Sequence, residues 1–175
     1  ASVGSPAAFS LTISDNDTVP TYDFSSASYS AEERDAIRTT NLVTVHRSVD
    51  TSAASTVELV LASGSATVGV DLEDSPIVVN FGPGETSKSV PVEIYGETIY
   101  EADESLTLSF AGFGGNGKAG GTFPTASLTI TNDDPMPTIS LSDAGGTEAI
   151  GTLAFNVSLS NPSSLPVSAQ YTTSD

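Results

Sequence analysis

The chain has no cysteine, no tryptophan, a single histidine and only five basic residues, and each scarcity removes a class of function. Without Cys there are no disulfides, no thiol catalysis and no thiolate metal sites, and one His, His46, leaves no His-Cys dyad. Arg34, Arg38, Arg47, Lys88 and Lys118 cannot build a basic patch that would hold nucleic acid or dock on anionic lipid. No run of about 18 apolar residues exists, so no segment reads as a membrane span. The start, Ala1-Ser2-Val3-Gly4-Ser5, lacks the basic and apolar regions of a signal peptide, and any export address is expected to have been removed or to lie outside this segment.

What is abundant is acid. Among 175 residues, 22 are Asp or Glu, for a formal net charge of −17, yet 38% are hydrophobic, enough for a core. A folded, acidic chain without Cys makes bound divalent cations the first partner to look for.

Apolar residues alternate with polar ones at period two, which turns one face of a segment inward and the other to water. Val57, Leu59 and Leu61 do so, as do Val90, Val92 and Ile94, then Leu106, Leu108 and Phe110, and Leu128 and Ile130. Gly82-Pro83-Gly84 reads as a type II turn, because Pro presets φ and the following Gly accepts positive φ. Pro91 cannot donate to a ladder, so its strand is expected at a sheet edge. The one stretch of helical character, Ala31 to Arg38, is short and charged. Short, evenly spaced strands predict an all-β sandwich.

An internal repeat divides the chain. Phe9-Ser-Leu-Thr-Ile-Ser-Asp-Asn-Asp-Thr-Val-Pro-Thr21 matches Ala126-Ser-Leu-Thr-Ile-Thr-Asn-Asp-Asp-Pro-Met-Pro-Thr138 at an offset of 117 residues, and Val43 to Ser48 matches Phe155 to Ser160 at 112. The expected organisation is the last strand of one domain (1–17), a complete domain (18–134) and the opening strands of a third (135–175).

The acids gather at predicted strand ends near these boundaries: Asp15-Asn16-Asp17, Asn132-Asp133-Asp134, Glu97 with Glu101, Asp103 and Glu104, and Glu32-Glu33. Folding brings like charges together, and a hard cation with oxygen ligands offsets the repulsion. Ca²⁺, which accepts about 6 to 8 oxygens from flexible loops, suits such a set better than Mg²⁺. The alternative from charge alone is a solvated, solubilising surface.

The segments Gly64-Ser-Ala-Thr-Val-Gly-Val-Asp71, Val79-Asn-Phe-Gly-Pro-Gly-Glu-Thr-Ser-Lys-Ser-Val-Pro-Val-Glu-Ile94, Tyr100-Glu-Ala-Asp-Glu-Ser-Leu-Thr-Leu108 and Leu128-Thr-Ile-Thr-Asn-Asp-Asp134 resemble, in order and spacing, the Calx-beta domain. The resemblance covers residues 18–134 and implies a Greek-key, immunoglobulin-like sandwich that binds Ca²⁺ and often recurs in tandem. It places calcium ligands on Glu33, Asp71, Glu101, Asp133 and Asp134. Gly96 and Glu97 stand where members that bind several ions usually carry paired Asp, and Asn132 replaces the first acid of the exit cluster, so Glu97 and Asn132 complete the candidate set and fewer or weaker sites are expected. Partial sites would include Asp15 and Asp17 at one end, beside Asn16, and Glu148 at the other. Leu72 replaces a usual aromatic, a matter of packing.

Other motifs carry less. Gly112-Phe-Gly-Gly-Asn-Gly-Lys-Ala119 imitates a phosphate loop, but no helix is expected after it and Ala119 lacks the Mg²⁺-binding hydroxyl. His46 reads as an outward strand residue. Glu101, Asp103 and Glu104 as glycosidase acids would need a cleft with aromatic platforms. Asn16-Asp-Thr18 and Asn156-Val-Ser158 fit the N-glycosylation pattern, which matters only in a eukaryotic secretory context.

The leading expectation is therefore a non-enzymatic, calcium-binding structural or adhesive module of a secreted or cell-surface array, with Ca²⁺ stiffening loops and linkers. Its partners would be neighbouring repeats and a cell-surface or matrix ligand, with neither nucleic acid nor membrane insertion. The alternative is a self-assembling module that associates through exposed strand edges, and a remoter one is a calcium sensor of a membrane transporter.

Overall fold

The computed structural model describes residues 10–14, 18–147, 149 and 151–174, with the backbone alone at 39–41. Eleven strands and no α-helix occur among them: β1 (Thr21–Phe24), β2 (Ser28–Glu32), β3 (Arg38–Ser48), β4 (Ser55–Ser63), β5 (Ile77–Phe81), β6 (Ser87–Ile94), β7 (Glu104–Ala111), β8 (Lys118–Ala119), β9 (Ala126–Thr131), β10 (Ile139–Leu141) and β11 (Val157–Leu159). One sheet has the order β6-β3-β1-β8, the second β2-β9-β7-β4-β5, and β10 with β11 forms a separate hairpin.

The period-two segments became β4, β6, β7 and β9, and their inward residues make the core. Val57, Leu59, Val92, Ile94, Leu108 and Leu128 are completely buried. Burying a side chain of this kind contributes about 1.5–3 kcal/mol, which offsets much of the entropy lost by ordering its strand. Phe24 stacks on Phe110 with centroids 4.2 Å apart, and Tyr22 packs on Phe81 and Phe113. Pro91 lies in edge strand β6, opposite a register shift between Thr40 and Val43 where the ladder is already interrupted. In the Gly82–Glu85 turn, Gly84 has φ of 79° and the Glu85 amide donates to the Gly82 carbonyl at 3.2 Å, the type II geometry expected of Gly-Pro-Gly.

Ala31 to Arg38 is not helical. Ala31 and Glu32 finish β2, Arg38 opens β3, and Arg34 between them has φ of 61°. Ala31 carries the inward alternation of Tyr29, so the pairing of β2 with β9 overrides any local helical preference.

The first strand is divided between the sheets. β1 runs antiparallel to β3, the chain breaks at Ser25–Ala27, and β2 then runs parallel to β9 in the other sheet. The hairpin of β10 and β11 repeats part of this plan: Ile139 faces Leu159, Ser140 faces Ser158 and Leu141 faces Val157, as Tyr22 faces Arg47, Asp23 faces His46 and Phe24 faces Val45.

Arg47 occupies a core position that alternation assigns to an apolar side chain, and only 1% of it is exposed. Its guanidinium donates to the carbonyls of Glu85 (2.9 Å), Ala53 (2.8 Å), Thr51 (3.1 Å) and Gly82 (2.8 Å) and to the Ser55 hydroxyl (2.7 Å), and it lies 5.3 Å from the Phe81 ring centroid. Satisfied in this way by neutral oxygens, it fastens the β3–β4 loop to the β5–β6 turn. The adjacent His46 is half-buried on the outward side of the strand.

Replacing Arg47 with Leu leaves these acceptors unpaired, and urea unfolding should register a loss of about 3 kcal/mol. Tyr22 is the contrast, because its hydroxyl is buried and makes no hydrogen bond. Tyr22→Phe should therefore leave stability unchanged or raise it, and a marked loss would reveal a hidden partner for the hydroxyl.

Candidate metal centre

The acids meet at the end of the sandwich where β2, β6 and β9 finish and β7 begins. The Glu33 amide donates to the Thr131 carbonyl at 3.1 Å, extending the parallel ladder by one residue and setting Glu33 beside the exit of β9. Glu33 is 8% exposed, whereas Glu32 points outward and pairs with Arg34 at 3.3 Å. The Arg34 amide in turn donates to the Asp133 carboxylate at 3.0 Å.

Asp71 sits in the turn between β4 and β5. Its carboxylate accepts the Thr67 amide at 2.6 Å and its carbonyl accepts the Tyr95 amide at 2.9 Å, joining that turn to the end of β6. The neighbouring Leu72 is fully buried and bridges to Ile94, so it serves packing. Gly96 then crosses so close to β2's exit that a Cβ would overlap the carbonyl oxygens of Glu33 and Arg34. An Asp there would displace that backbone, which accounts physically for the missing acid. Asn132 uses both halves of its amide: Oδ1 accepts the Glu101 amide at 3.0 Å, and Nδ2 donates to the Asp134 carbonyl at 3.0 Å. Its backbone amide donates to Asp103 at 3.1 Å.

The electrostatics follow from this convergence. Burial, and then the charges of Glu101, Glu97, Asp134 and Asp133, push Glu33 up to about 7. Glu104 also rises to about 7, through burial and then the charge and hydrogen bond of Asp71. Glu97 is raised by burial and by its hydrogen bond to Glu101, and Asp134 by burial and by Asp35 and Asp133. The sequence-derived residues Glu33, Asp71, Glu97, Glu101, Asp133 and Asp134 therefore share one region, with Asn132 within it. Asp15, Asn16, Asp17 and Glu148 lie outside the described residues. Glu104 and Asp35 belong to the same field and were missed as site residues. The run Glu101-Ala-Asp-Glu104 could have pointed to Glu104, while Asp35 lies in the stretch of helical character.

Among the described residues, no three acidic or imidazole side chains converge tightly enough to hold a metal ion as they stand. The donor set nonetheless suits a hard dication. Glu33 Oε1, Glu97 Oε1 and Asp134 Oδ2 are buried and make no hydrogen bond, a costly state for carboxylate oxygens.

The sequence model of the Calx-beta domain matches residues 15–135, more than half of the chain. The protein belongs to the Calx-beta family. The Calx-beta region is similar to human FRAS1-related extracellular matrix protein 2, at 32% identity over 114 residues, and to extracellular matrix protein 3 of Lytechinus variegatus, at 33% over 113. These alignments cover 62% and 61% of the chain but 4% of each relative. Among solved structures, the apo form of the Calx CBD1 domain superposes with a TM-score of 0.57 at 22% identity, over 67% of this chain and 100% of that one. The calcium binding domain CBD12 of CALX1.1 gives the same score and identity over 70% of this chain and 50% of that one. At this identity the likeness establishes the Calx-beta sandwich fold.

The raised acids set a pH dependence for the ion-free protein. Glu33 and Glu104 hold protons up to about 7 when folded but only to 4.5 by their ordinary value, so between these limits the folded state binds more protons than the unfolded one. Stability therefore falls as pH rises through that interval. Asp50 and Glu85 are held below the ordinary range, chiefly by hydrogen bonds from Ser52 and Lys88, and act at lower pH. In chelator, calorimetry should give a higher unfolding midpoint at about pH 5 than at about pH 8; a midpoint that climbs across this range would contradict the clustering.

Proposed function

We propose that this Calx-beta domain is a calcium-binding structural module, without catalytic function, of a secreted or cell-surface repeat protein. The observation that carries the reading is the set of buried, unpartnered carboxylate oxygens of Glu33, Glu97 and Asp134, on three separate chain segments that meet at one end of the sandwich. Asp71, Glu101 and Asp133 add carboxylates and Asn132 a neutral carbonyl oxygen, a hard donor set suited to Ca²⁺. The ion would supply positive charge to carboxylates that the neighbouring Arg34, paired with Glu32, does not neutralise. The protein's own part is to hold Glu33 on the β2–β9 ladder, to bring Asp71 to the end of β6 and to tie Glu101 to the exit strand through Asn132. Because the exit leads directly into Pro135-Met136-Pro137, ordering these loops also restricts the linker.

The relatives named as extracellular matrix proteins support an extracellular setting, although the chain spans only 4% of their length. No helix among the described residues is long and apolar enough to cross a membrane. Of the tandem division into 1–17, 18–134 and 135–175, the reading of 135–175 as the opening of a further repeat is supported by the shared register of the β1–β3 and β10–β11 pairs, whereas the described residues 10–14 form no strand. Self-association is the second reading, favoured by that hairpin: Ile139, Leu141, Val157 and Leu159 are all exposed.

The test is thermal unfolding in millimolar Ca²⁺ and in chelator. Free Ca²⁺ at 100 times its dissociation constant should add about 2.7 kcal/mol. At about pH 8, where Glu33 is ionised, Glu33→Gln should act in opposite directions in the two media, raising the midpoint in chelator by removing a buried charge and abolishing most of the calcium-induced rise. Coincident curves for the parent chain would overturn the calcium reading, and a concentration-dependent, chelator-resistant assembly would favour the second.

A further inference from the structure

The β6–β7 loop carries Glu97, Glu101 and Asp103, but it has a second set of contacts that involves none of their carboxylates. Tyr100 forms a parallel bridge with Ser163. Its amide donates to the Pro162 carbonyl at 3.1 Å, and its carbonyl accepts the Ser164 amide at 3.1 Å and the Ser163 hydroxyl at 3.3 Å. The side chain of Asn161 donates to the Pro135 carbonyl at 2.7 Å. Asn132 holds the Glu101 amide and the Asp134 carbonyl from the other side. Hydrogen bonds thus enclose the linker in a ring that runs from Asn132 to the Tyr100 loop, to Asn161–Ser164, and back to Pro135.

The location of the partner segment gives this ring its meaning. Asn161–Ser164 follows β11, the counterpart of the later part of β3, and at the 112-residue offset it corresponds to Val49–Ser52. That loop lies at the end of the sandwich opposite the acids. It is shaped by Arg47, which holds the Thr51 carbonyl, and by a three-residue turn at Val49, with φ of 69° and the Asp50 amide on the Ser48 carbonyl at 2.9 Å. Val49 is 65% exposed. Val49–Ser52 therefore occupies, on this sandwich, the place from which the Asn161–Ser164 loop meets the domain before it.

We infer that successive repeats join head to tail through a backbone clasp, in which the loop at the Tyr100 position pairs in parallel with the loop after the third strand of the following repeat. The inference rests on the tandem reading above but requires no cation. The clasp uses main-chain groups, an Asn amide and the Ser163 hydroxyl, none of them charged, so it fixes the angle between modules even where calcium is scarce, and calcium acts on a linker that is already enclosed.

The chain's freedom from cysteine permits a direct test with spin labels at Val78→Cys on β5 and Val157→Cys on the hairpin, both exposed, measured by pulsed dipolar spectroscopy in chelator. The parent should give one narrow distance distribution. Ser164→Pro removes the amide that Tyr100 accepts, Asn161→Ala frees the Pro135 carbonyl, and the two together should at least double the width. Neither residue belongs to the sandwich, so its unfolding curve and calcium response report the metal reading separately on the same variants. A parent distribution as broad as that of the double variant, or a width that neither change alters, would overturn the clasp. Cross-strand nuclear Overhauser contacts between Ile139 and Leu159 monitor the hairpin itself: their absence would sink both the clasp and the tandem reading, and their presence with broad distances would sink the clasp alone.

Discussion

The parallel pairing of β2 with β9 is the constraint on which the rest of the structure depends. A chain entering through β1 in one sheet must break and rejoin in the other, and the small residues Ser25-Ser26-Ala27 allow it to do so. The consequence is electrostatic as well as architectural. Once β2 is in register with β9, the last hydrogen bond of that ladder delivers Glu33 to the start of Asn132-Asp133-Asp134, and Glu33 cannot withdraw without breaking main-chain bonds. Backbone pairing and core burial thus hold together carboxylates that would separate if they were free.

The sequence was most informative where one physical rule acted alone. Period-two alternation located β4, β6, β7 and β9, and Pro91 announced an edge, because side-chain burial and ladder donation are local properties of a strand. It was less informative where a residue answers to a distant partner. Arg47 sits in the alternation at a place suited to Leu, and nothing nearby in sequence reveals that carbonyls from Thr51 to Glu85 will surround it. Ala31 to Arg38 has helical character on its own for the same reason, since the partner that draws Ala31 and Glu32 into a strand, β9, lies about a hundred residues further on. At the acid cluster the strand ends were legible, but the field was not. Glu104 and Asp35 enter it through packing around Asp71 and Asp134, which spacing does not encode.

The scarcity of basic residues acquires a sharper meaning once their positions are known. Arg34 pairs with Glu32, Lys88 with Glu85, and Arg47 is enclosed among neutral oxygens. Glu33 and Glu104 rise instead of falling because what surrounds them is burial and negative charge. The net charge of −17 is thus unevenly distributed in its consequences, with acids such as Glu32 and Glu85 compensated at the surface and a small group at one end left uncompensated.

The two ends of the sandwich solve the problem of buried charge in different ways. At the Arg47 end, the counter-dipoles are carbonyl groups of the chain itself, so the charge is satisfied whenever the fold exists, with no contribution needed from solution. At the Glu33 end what acts on Glu33 is burial and further carboxylates, with Arg34 turned to Glu32, so the repulsion is relieved by protons at low pH and, on the proposed reading, by a cation at neutral pH. If repeats join head to tail, every junction brings a self-sufficient end against one that responds to its surroundings. A change in solution conditions is then felt on one side of the junction while the other side keeps its geometry, and this asymmetry lets a linker be adjusted without loosening the domains it connects.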